Sequence, residues 1–273
     1  MKIIAIGDNV VDLYLDEEIM YPGGNALNVA VFCNRFSNDS CSYIGIVGND
    51  IEGQLIEESL EKENINISRI RRAIGETGVS KVALDESGDR VFVGWNKGGV
   101  QSELKIQFTE EDLSFIHSHS LLHTSVYSHL EGDIPELCRK ISVSFDFSTY
   151  KEEERIKKVC PYLEYAFFSG SDMSKKDCHE LIKKCHALGT KYVGITRGKD
   201  GAVFSDSFHI YEQSSVETEV VDTLGAGDTF IAMLLTSIHQ SNNIRISLQL
   251  AAEAAAETCG YYGAFGYGMN KIT

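Results

Sequence analysis

The residues best suited to chemistry lie together in Val221-Asp222-Thr223-Leu224-Gly225-Ala226-Gly227-Asp228-Thr229-Phe230. Mixed polar and β-branched residues lead into this stretch, and a long apolar helical pattern, Thr229–Ser237, follows it. Gly225, Ala226 and Gly227 put no bulky side chain at the helix start. An anion can therefore approach the free N–H groups and the positive end of the helix dipole. A carboxylate beside such a cradle makes little sense for binding alone, because like charges repel. It makes sense for phosphoryl transfer: Asp228 accepts the proton of an attacking hydroxyl while the N–H groups of Gly225–Gly227 stabilise charge on the group in transit. The plainer alternative is an aspartate that caps a helix after a flexible turn.

Elements that could carry this segment are legible along the chain. Short apolar runs read as strands at Ile3–Ile6, Ser42–Val47, Ser120–His123, Val143–Phe147, Tyr165–Phe168 and Tyr192–Thr196. Helical periodicity appears at Ala26–Phe36, Ile51–Glu63, Glu152–Val159, Lys175–Leu188, Ala226–Ser237 and Ile246–Cys259. Continuous apolar strands alternating with amphipathic helices predict an α/β fold, a mainly parallel sheet covered on both faces. Residues 10–21 and 78–95 break the rhythm by alternating polar and apolar side chains, the second around a turn at Glu86-Ser87-Gly88-Asp89. These read as hairpin strands beyond the sheet edge, forming a small lid or an edge layer. Exposed apolar residues there (Val91, Val93, Trp95) also suit a dimer contact. With three prolines and no repeat or linker, residues 1–273 read as one domain plus lid strands.

Composition narrows the function further. Forty acidic against 25 basic residues give a net charge of −15, which disfavours nucleic acid and anionic membrane as partners. No apolar run approaches membrane-spanning length and the first residues do not resemble a signal peptide, so a soluble, cytoplasmic protein is expected. Seven cysteines without any C-x-x-C pair argue against a zinc ribbon or redox motif and for buried thiols. His117, His119 and His129 lack zinc spacing.

The segment Asp222–Phe230 resembles, without a gap, the C-terminal motif of the ribokinase-like (PfkB) carbohydrate kinases. Gly23-Gly24-Asn25-Ala26-Leu27-Asn28-Val29-Ala30 resembles the family's N-terminal glycine motif. Ile6-Gly7-Asp8 with Asp12, and Gly45–Asp50 with Gly53, fit two further motifs in the family's order. Within the family, GDNVVD (Gly7–Asp12), PGGNALNVAV (Pro22–Val31), DRVF (Asp89–Phe92), SFDFS (Ser144–Ser148), DTLGAGDTFIA (Asp222–Ala232) and CGYYGAFGYG (Cys259–Gly268) look like the fructosamine (fructoselysine) 6-kinase branch. The resemblance implies a three-layer α/β/α fold and transfer of the ATP γ-phosphoryl group to the 6-hydroxyl of a glycated amino acid. It also implies a homodimer through the lid strands.

By the same resemblance, Asp228 is the base, and Gly225, Ala226 and Gly227 form the anion hole. Asp12 and Asn28 hydrogen-bond sugar hydroxyls, and Gly23 and Gly24 let the sugar approach the backbone. Trp95, His123 and Tyr127 are candidates for the part of the substrate beyond the sugar. Thr196, Arg197, Gly198 and Gly201, with Gly227, lie where the family binds nucleotide. Arg197 stands where many members carry leucine, so it either holds phosphate or sits at the surface. The family's magnesium-arranging Asn-x-x-Glu is replaced by Ser169-Gly170-Ser171-Asp172, which leaves Mg²⁺ mostly to ATP phosphates and water. Carbonyls near Asp222, Leu224, Cys259 and Gly263 match a monovalent cation (K⁺) site, unless the aromatic tail is only packing. Other substrates on the same fold (fructose, ketodeoxygluconate, a nucleoside) remain open, as does a non-catalytic sugar or nucleotide sensor. A Rossmann dinucleotide enzyme fails, because Gly7-Asp8-Asn9-Val10 lacks G-x-G-x-x-G.

Overall fold

The computed structural model describes residues 2–37, 39–84, 90–240 and 243–271. Strands β1 (Ile3–Ile6), β2 (Val10–Tyr14) and β3 (Ile19–Gly23) lead into helix α1 (Asn25–Phe36). Next come β4 (Ser42–Ile44), β5 (Ile46–Val47), α2 (Ile51–Lys62), β6 (Arg71–Arg72), β7 (Val79–Leu84) and β8 (Arg90–Trp95). Helices α3 (Gly99–Glu103) and α4 (Glu110–Ile116) precede β9 (Leu121–Ser125), α5 (Ile134–Leu137), β10 (Ser142–Asp146) and α6 (Glu153–Val159). The chain continues through β11 (Tyr165–Ser169), α7 (Lys175–Ala187), β12 (Tyr192–Thr196), β13 (Ala202–Ser205) and β14 (Ile210–Gln213). It closes with α8 (Ala226–His239), α9 (Ile244–Thr258) and β15 (Met269–Asn270).

The main sheet runs β14-β13-β12-β11-β10-β9-β1-β4. From β4 to β12 every pairing is parallel, while β13 and β14 add antiparallel strands at one edge. Alternation along β1 explains the layers. Ile3 and Ala5 face one core with α1, α8 and α9 residues, whereas Ile4 and Ile6 face another with residues of α5, α6 and α7. A side chain points to opposite faces at successive strand positions, so an all-apolar strand needs a helix layer on each side. The three-layer α/β/α expectation is met, and the antiparallel β13–β14 edge was not foreseen.

The expected strand Ser42–Val47 breaks at Gly45, where a Cβ would lie 2.2 Å from the Tyr43 hydroxyl. That hydroxyl is pinned, donating to the Gly7 carbonyl at 2.7 Å, so β5 leaves the main sheet to pair with β6. The alternating segments form a separate five-stranded sheet, β15-β3-β2-β7-β8. Its fifth strand, from the C-terminal tail, carried no alternation long enough to be read. The turn expected at Glu86-Ser87-Gly88-Asp89 lies outside the described residues. A register shift between Lys81 and Val82 pairs Ser80 with Trp95 and Val82 with Phe92. This bulge turns both aromatic rings toward the same face.

Asp222 clasps the second sheet and the tail to the body. Its Oδ1 accepts from the Leu224 N–H at 2.8 Å, and its Oδ2 accepts from the Gly263 N–H at 3.0 Å and from the Tyr14 hydroxyl on β2. It is buried, so water cannot replace it. Asp222→Ala strands three donors and is expected to cost about 3 kcal/mol, roughly a 6–12 °C fall in Tm by calorimetry. A Tm within about 1 °C of the parent would remove the clasp from the account.

Candidate active site

Along the main sheet, the parallel strands end at one crevice. The chain leaves β1 toward β4 on one side and returns to β9 on the other, and ligands of open α/β sheets bind outside the carboxyl ends at such a switch point. Asp8 follows β1, Asp146 closes β10, Ser169 closes β11 and Thr196 closes β12. All four line one cleft of about 640 Å³, roofed by Asp12, Ser80, Phe92 and Trp95 of the second sheet. Gly225, Gly227 and Asp228 at the start of α8 line it too.

The start of α8 has the form of an anion cradle. Gly225 is the N-cap residue, at φ 77° and with no side chain capping the helix. A Cβ there would approach Ala264 Cβ to 2.7 Å, so the left-handed turn and the close packing both require glycine. Gly227 has open space where a Cβ would stand. The first-turn N–H groups have no acceptor within the helix. Asp228 is not a cap. Its Oδ1 accepts from Asn25 Nδ2 at 2.8 Å and its Oδ2 from Asn28 Nδ2 at 2.7 Å. Two amides of α1 thus hold the carboxylate from both sides.

The surrounding charge is concentrated. Asp8, Asp12 and Asp146 join Asp228 in the lining, and Asp8, Asp12 and Asp146 are each no more than 9% exposed. Burial pushes the Asp228 carboxyl well above its ordinary value. The Asn28 N–H opposes this, and the charges of Asp146, Asp8 and Asp12 reinforce it. Burial likewise raises Asp146 to about 6, against the N–H groups of Ser148 and Asn25 and with the charge of Asp8 adding to the rise. Asp8 also closes the N-terminus of α1, which no Gly24 side chain can cap. Its Oδ2 accepts from the Asn25 N–H at 2.6 Å, and its Oδ1 from the Ser125 and Ser128 hydroxyls at 2.6 and 2.9 Å.

Several expected residues meet in the cleft: Asp12, Gly24, Asn28, Trp95, Tyr127, Thr196, Leu224, Gly225, Gly227 and Asp228. Asn28 is buried, and its Oδ1 has no partner among the described residues, so it can accept from a ligand hydroxyl while its Nδ2 holds Asp228.

Other expected residues lie outside the cleft lining or make contacts of their own. Gly23 does not line the cleft: its missing Cβ makes room for Asp12 Oδ2, which would stand 2.7 Å away. At Gly24 (φ 115°), a Cβ would strike Asn9 Cα at 2.6 Å. The missing side chains thus make room for the protein's own backbone and for Asp12, while Gly24 itself lines the cleft. Arg197 turns away, its Nη2 donating to the Met173 carbonyl at 3.0 Å, and neither Gly198 nor Gly201 lines the cleft. At Gly201 a Cβ would lie 2.0 Å from the Gln213 carbonyl, so this glycine serves the β13–β14 hairpin. Ala226 opens α8 without facing the cleft. Asp172 is exposed and paired with Lys151 at 3.0 Å. His123 is fully buried and outside the lining. Asp222, Leu224, Cys259 and Gly263 do come together, but the Cys259 carbonyl already accepts from the N–H groups of Val221 and Asp222 at 2.8 and 3.1 Å. Among the described residues, no group of three His, Cys, Asp or Glu side chains could hold a metal, and no helix is long and apolar enough to cross a membrane.

Asn25, Asp146 and Asp8 were given places in motifs but no individual role by sequence reasoning. Their signal is position: each is a polar residue where a buried strand or glycine pair meets the carboxyl edge of the sheet.

Comparison with known proteins agrees with this geometry. Residues 2–267 match the family model described as pfkB family carbohydrate kinase. The chain is 56% identical to fructosamine kinase FrlD of Bacillus subtilis, over 98% of this chain and 94% of that one. It is 31% identical to fructoselysine 6-kinase of Escherichia coli, over 97% of this chain and 100% of that one. Among solved structures, Arabidopsis thaliana ribokinase complexed with ribose and ATP superposes with a TM-score of 0.82 at 18% identity, covering 96% of this chain and 94% of that one. A putative ribokinase II from E. coli in complex with ATP and Mg²⁺ gives 0.83 at 21%, covering 97% and 94%. At these identities the structural likeness establishes the ribokinase fold.

The raised pKa of Asp146 has a consequence for stability. An unfolded aspartate loses its proton near pH 4, whereas the folded one keeps it to about 6. The folded state binds the extra proton in that window, so this group's contribution to stability falls as pH rises through it. Asp146→Asn is therefore expected to gain up to about 3 kcal/mol in urea unfolding at pH 8 and nothing at pH 4. Equal effects at both pH values would contradict the burial of a charge there.

Proposed function

Because the chain belongs to the pfkB family of carbohydrate kinases, we propose that it transfers the γ-phosphoryl group of ATP to the 6-hydroxyl of a fructosamine, a glycated amino acid such as fructoselysine. The observation that carries the reaction is the placement of Asp228. Its carboxylate is held on both oxygens, stands in the first turn of α8 beside the Gly225 turn, and shares one cleft with Asp12 and Asn28. In this reading Asp12 and Asn28 orient the sugar, Asp228 takes the proton of the attacking hydroxyl, and the N–H groups at Gly225–Gly227 accept the charge that develops on phosphate. A raised pKa suits the task, since a base works best when its pKa approaches the operating pH.

The substrate class rests on the 56% identity to a fructosamine kinase and on charge. A cleft lined by Asp8, Asp12, Asp146 and Asp228 favours a sugar that carries an ammonium group over neutral fructose or anionic ketodeoxygluconate. Phe92, Trp95, Tyr127 and Tyr150 line the same cleft and offer apolar faces to the amino-acid portion. A mere sensor has no use for so elaborately held a base.

Residues 1–273 act in this reading as one catalytic unit, with the five-stranded sheet as its lid. Thr196, Ser169, Gly225 and Gly227 are the cleft residues available to nucleotide. Mg²⁺ brought in with ATP neutralises charge on the phosphate oxygens, its shell filled mostly by phosphate and water. A potassium ion near Asp222, Leu224 and Gly263 belongs to the proposal, as does work in the cytoplasm. So does a homodimer through the outer strand of the lid, where Phe92, Val93 and Trp95 are 63%, 52% and 67% exposed.

An ADP-release screen of the purified protein tests the function against fructoselysine, other α- and ε-glycated amino acids, fructose and ketodeoxygluconate. Turnover is expected on the glycated amino acids, and Asp228→Asn should still bind ATP while losing about 10²–10⁴-fold in kcat. Activity confined to plain hexoses would overturn the substrate class, and full turnover by Asp228→Asn would overturn the base.

A further inference from the structure

Among the described residues, His123 is the one histidine with no exposed surface, and it lies directly behind the carboxylate cluster. Burial alone pulls its pKa down to about 3, so it stays neutral and keeps one ring proton. The partners assign that proton. Nε2 faces Asn25 Oδ1 at 3.3 Å, and Nδ1 faces the Ser144 hydroxyl at 3.0 Å. An amide oxygen only accepts, so Nε2 donates to Asn25 and Nδ1 accepts from Ser144. Asn25 Nδ2 is then turned the other way, donating to Asp228 Oδ1 at 2.8 Å and to Asp146 Oδ2 at 2.5 Å. Rotating this amide by half a turn would aim its oxygen at two carboxylates and leave His123 without an acceptor. Ser144, His123 and Asn25 thus form a relay with a single polarity.

We propose that His123 is a positioning residue for phosphoryl transfer: by locking the orientation of the Asn25 amide, it keeps an N–H group on Asp228 and so sets both the direction and the proton affinity of the base. The inference rests on Asp228 acting as the base. It explains why a buried histidine with no carboxylate partner stands in the middle of β9, where leucine would pack. The N–H that Asn25 gives to Asp228 favours the ionised form, against the push of Asp8, Asp12 and Asp146. Lys97, His129 and Arg155 are the basic side chains lining the same cleft, and none is altered by changing His123.

The test compares pH profiles of kcat/KM with saturating MgATP for the parent, His123→Leu, His123→Gln and Asn25→Ala. His123→Leu frees the amide to turn. Its acid limb is expected to move up by about one pH unit, with about a tenfold loss at neutral pH and an unchanged KM for ATP. His123→Gln, whose amide can still donate to Asn25 Oδ1, should recover most of the loss. Replacing His123 in an Asn25→Ala background should move the limb no further. An unmoved limb in Asn25→Ala, a His123→Gln limb displaced as far as that of Asn25→Ala, or an undiminished shift by His123 in the Asn25→Ala background would overturn the proposal. Since the Gln and Asn25 variants read the same network, the test survives a His123→Leu protein that does not fold. Failure of the premise is separate: it would show as turnover retained by Asp228→Asn in the parent background.

Discussion

The site depends on holding negative charge where water is scarce. Asp8, Asp12, Asp146 and Asp228 converge on one crevice, and isolated buried carboxylates are costly unless N–H or O–H groups satisfy them. The chain meets this cost with neutral donors: the Asn25 and Asn28 amides for Asp228, and the Asn25 N–H with two serine hydroxyls for Asp8. Each of these donors is uncharged. Neutral donors orient a carboxylate without quenching its basicity as a bidentate arginine would. A base that must accept a proton at the moment of phosphoryl transfer gains from that choice.

The architecture makes the crowding achievable. Parallel strands deliver their last residues to one edge, so Asp8, Asp146, Ser169 and Thr196 need no long loops to meet. Helix α1 starts at that edge, and its first turn presents Asn25 and Asn28 on one face, three residues apart. Helix α8 packs beside α1 and brings Asp228 between those two amides. The second sheet then covers the crevice from above, tied down by Asp222 through Tyr14 and Gly263. The excess of negative charge over the whole chain makes the backbone cradle at Gly225 more important, because it supplies local positive potential for an anionic nucleotide without spending a cation.

Much of this was legible from residue order. Periodicity placed most parallel strands and helices, because all-apolar runs buried on both faces and amphipathic helices leave distinct patterns. The Asp222–Phe230 segment announced the helix start and its aspartate, since small residues before a carboxylate at a helix N-terminus are chemically unusual. What stayed hidden depends on partners distant in sequence. Asp146 reads as one polar residue in a strand until Asn25, 121 positions away, is seen to hold it. Gly23 reads as a place for substrate until Asp12 is seen to occupy that space. Arg197 reads equally as a phosphate ligand or a surface residue until its guanidinium is seen on the Met173 carbonyl. Strands β14 and β15 were missed because they are short and largely exposed, and β13, though buried, is only four residues long, with little hydrophobic period to detect.

Titration of the protein with ¹³C-labelled aspartate, following the Asp228 carboxyl carbon by NMR, tests the central claim most directly. The account predicts a midpoint well above the ordinary aspartate value, with the Asp8, Asp12 and Asp146 signals responding as Asp228 ionises. A midpoint at the ordinary value of about 3.9, independent of those neighbours, would contradict it.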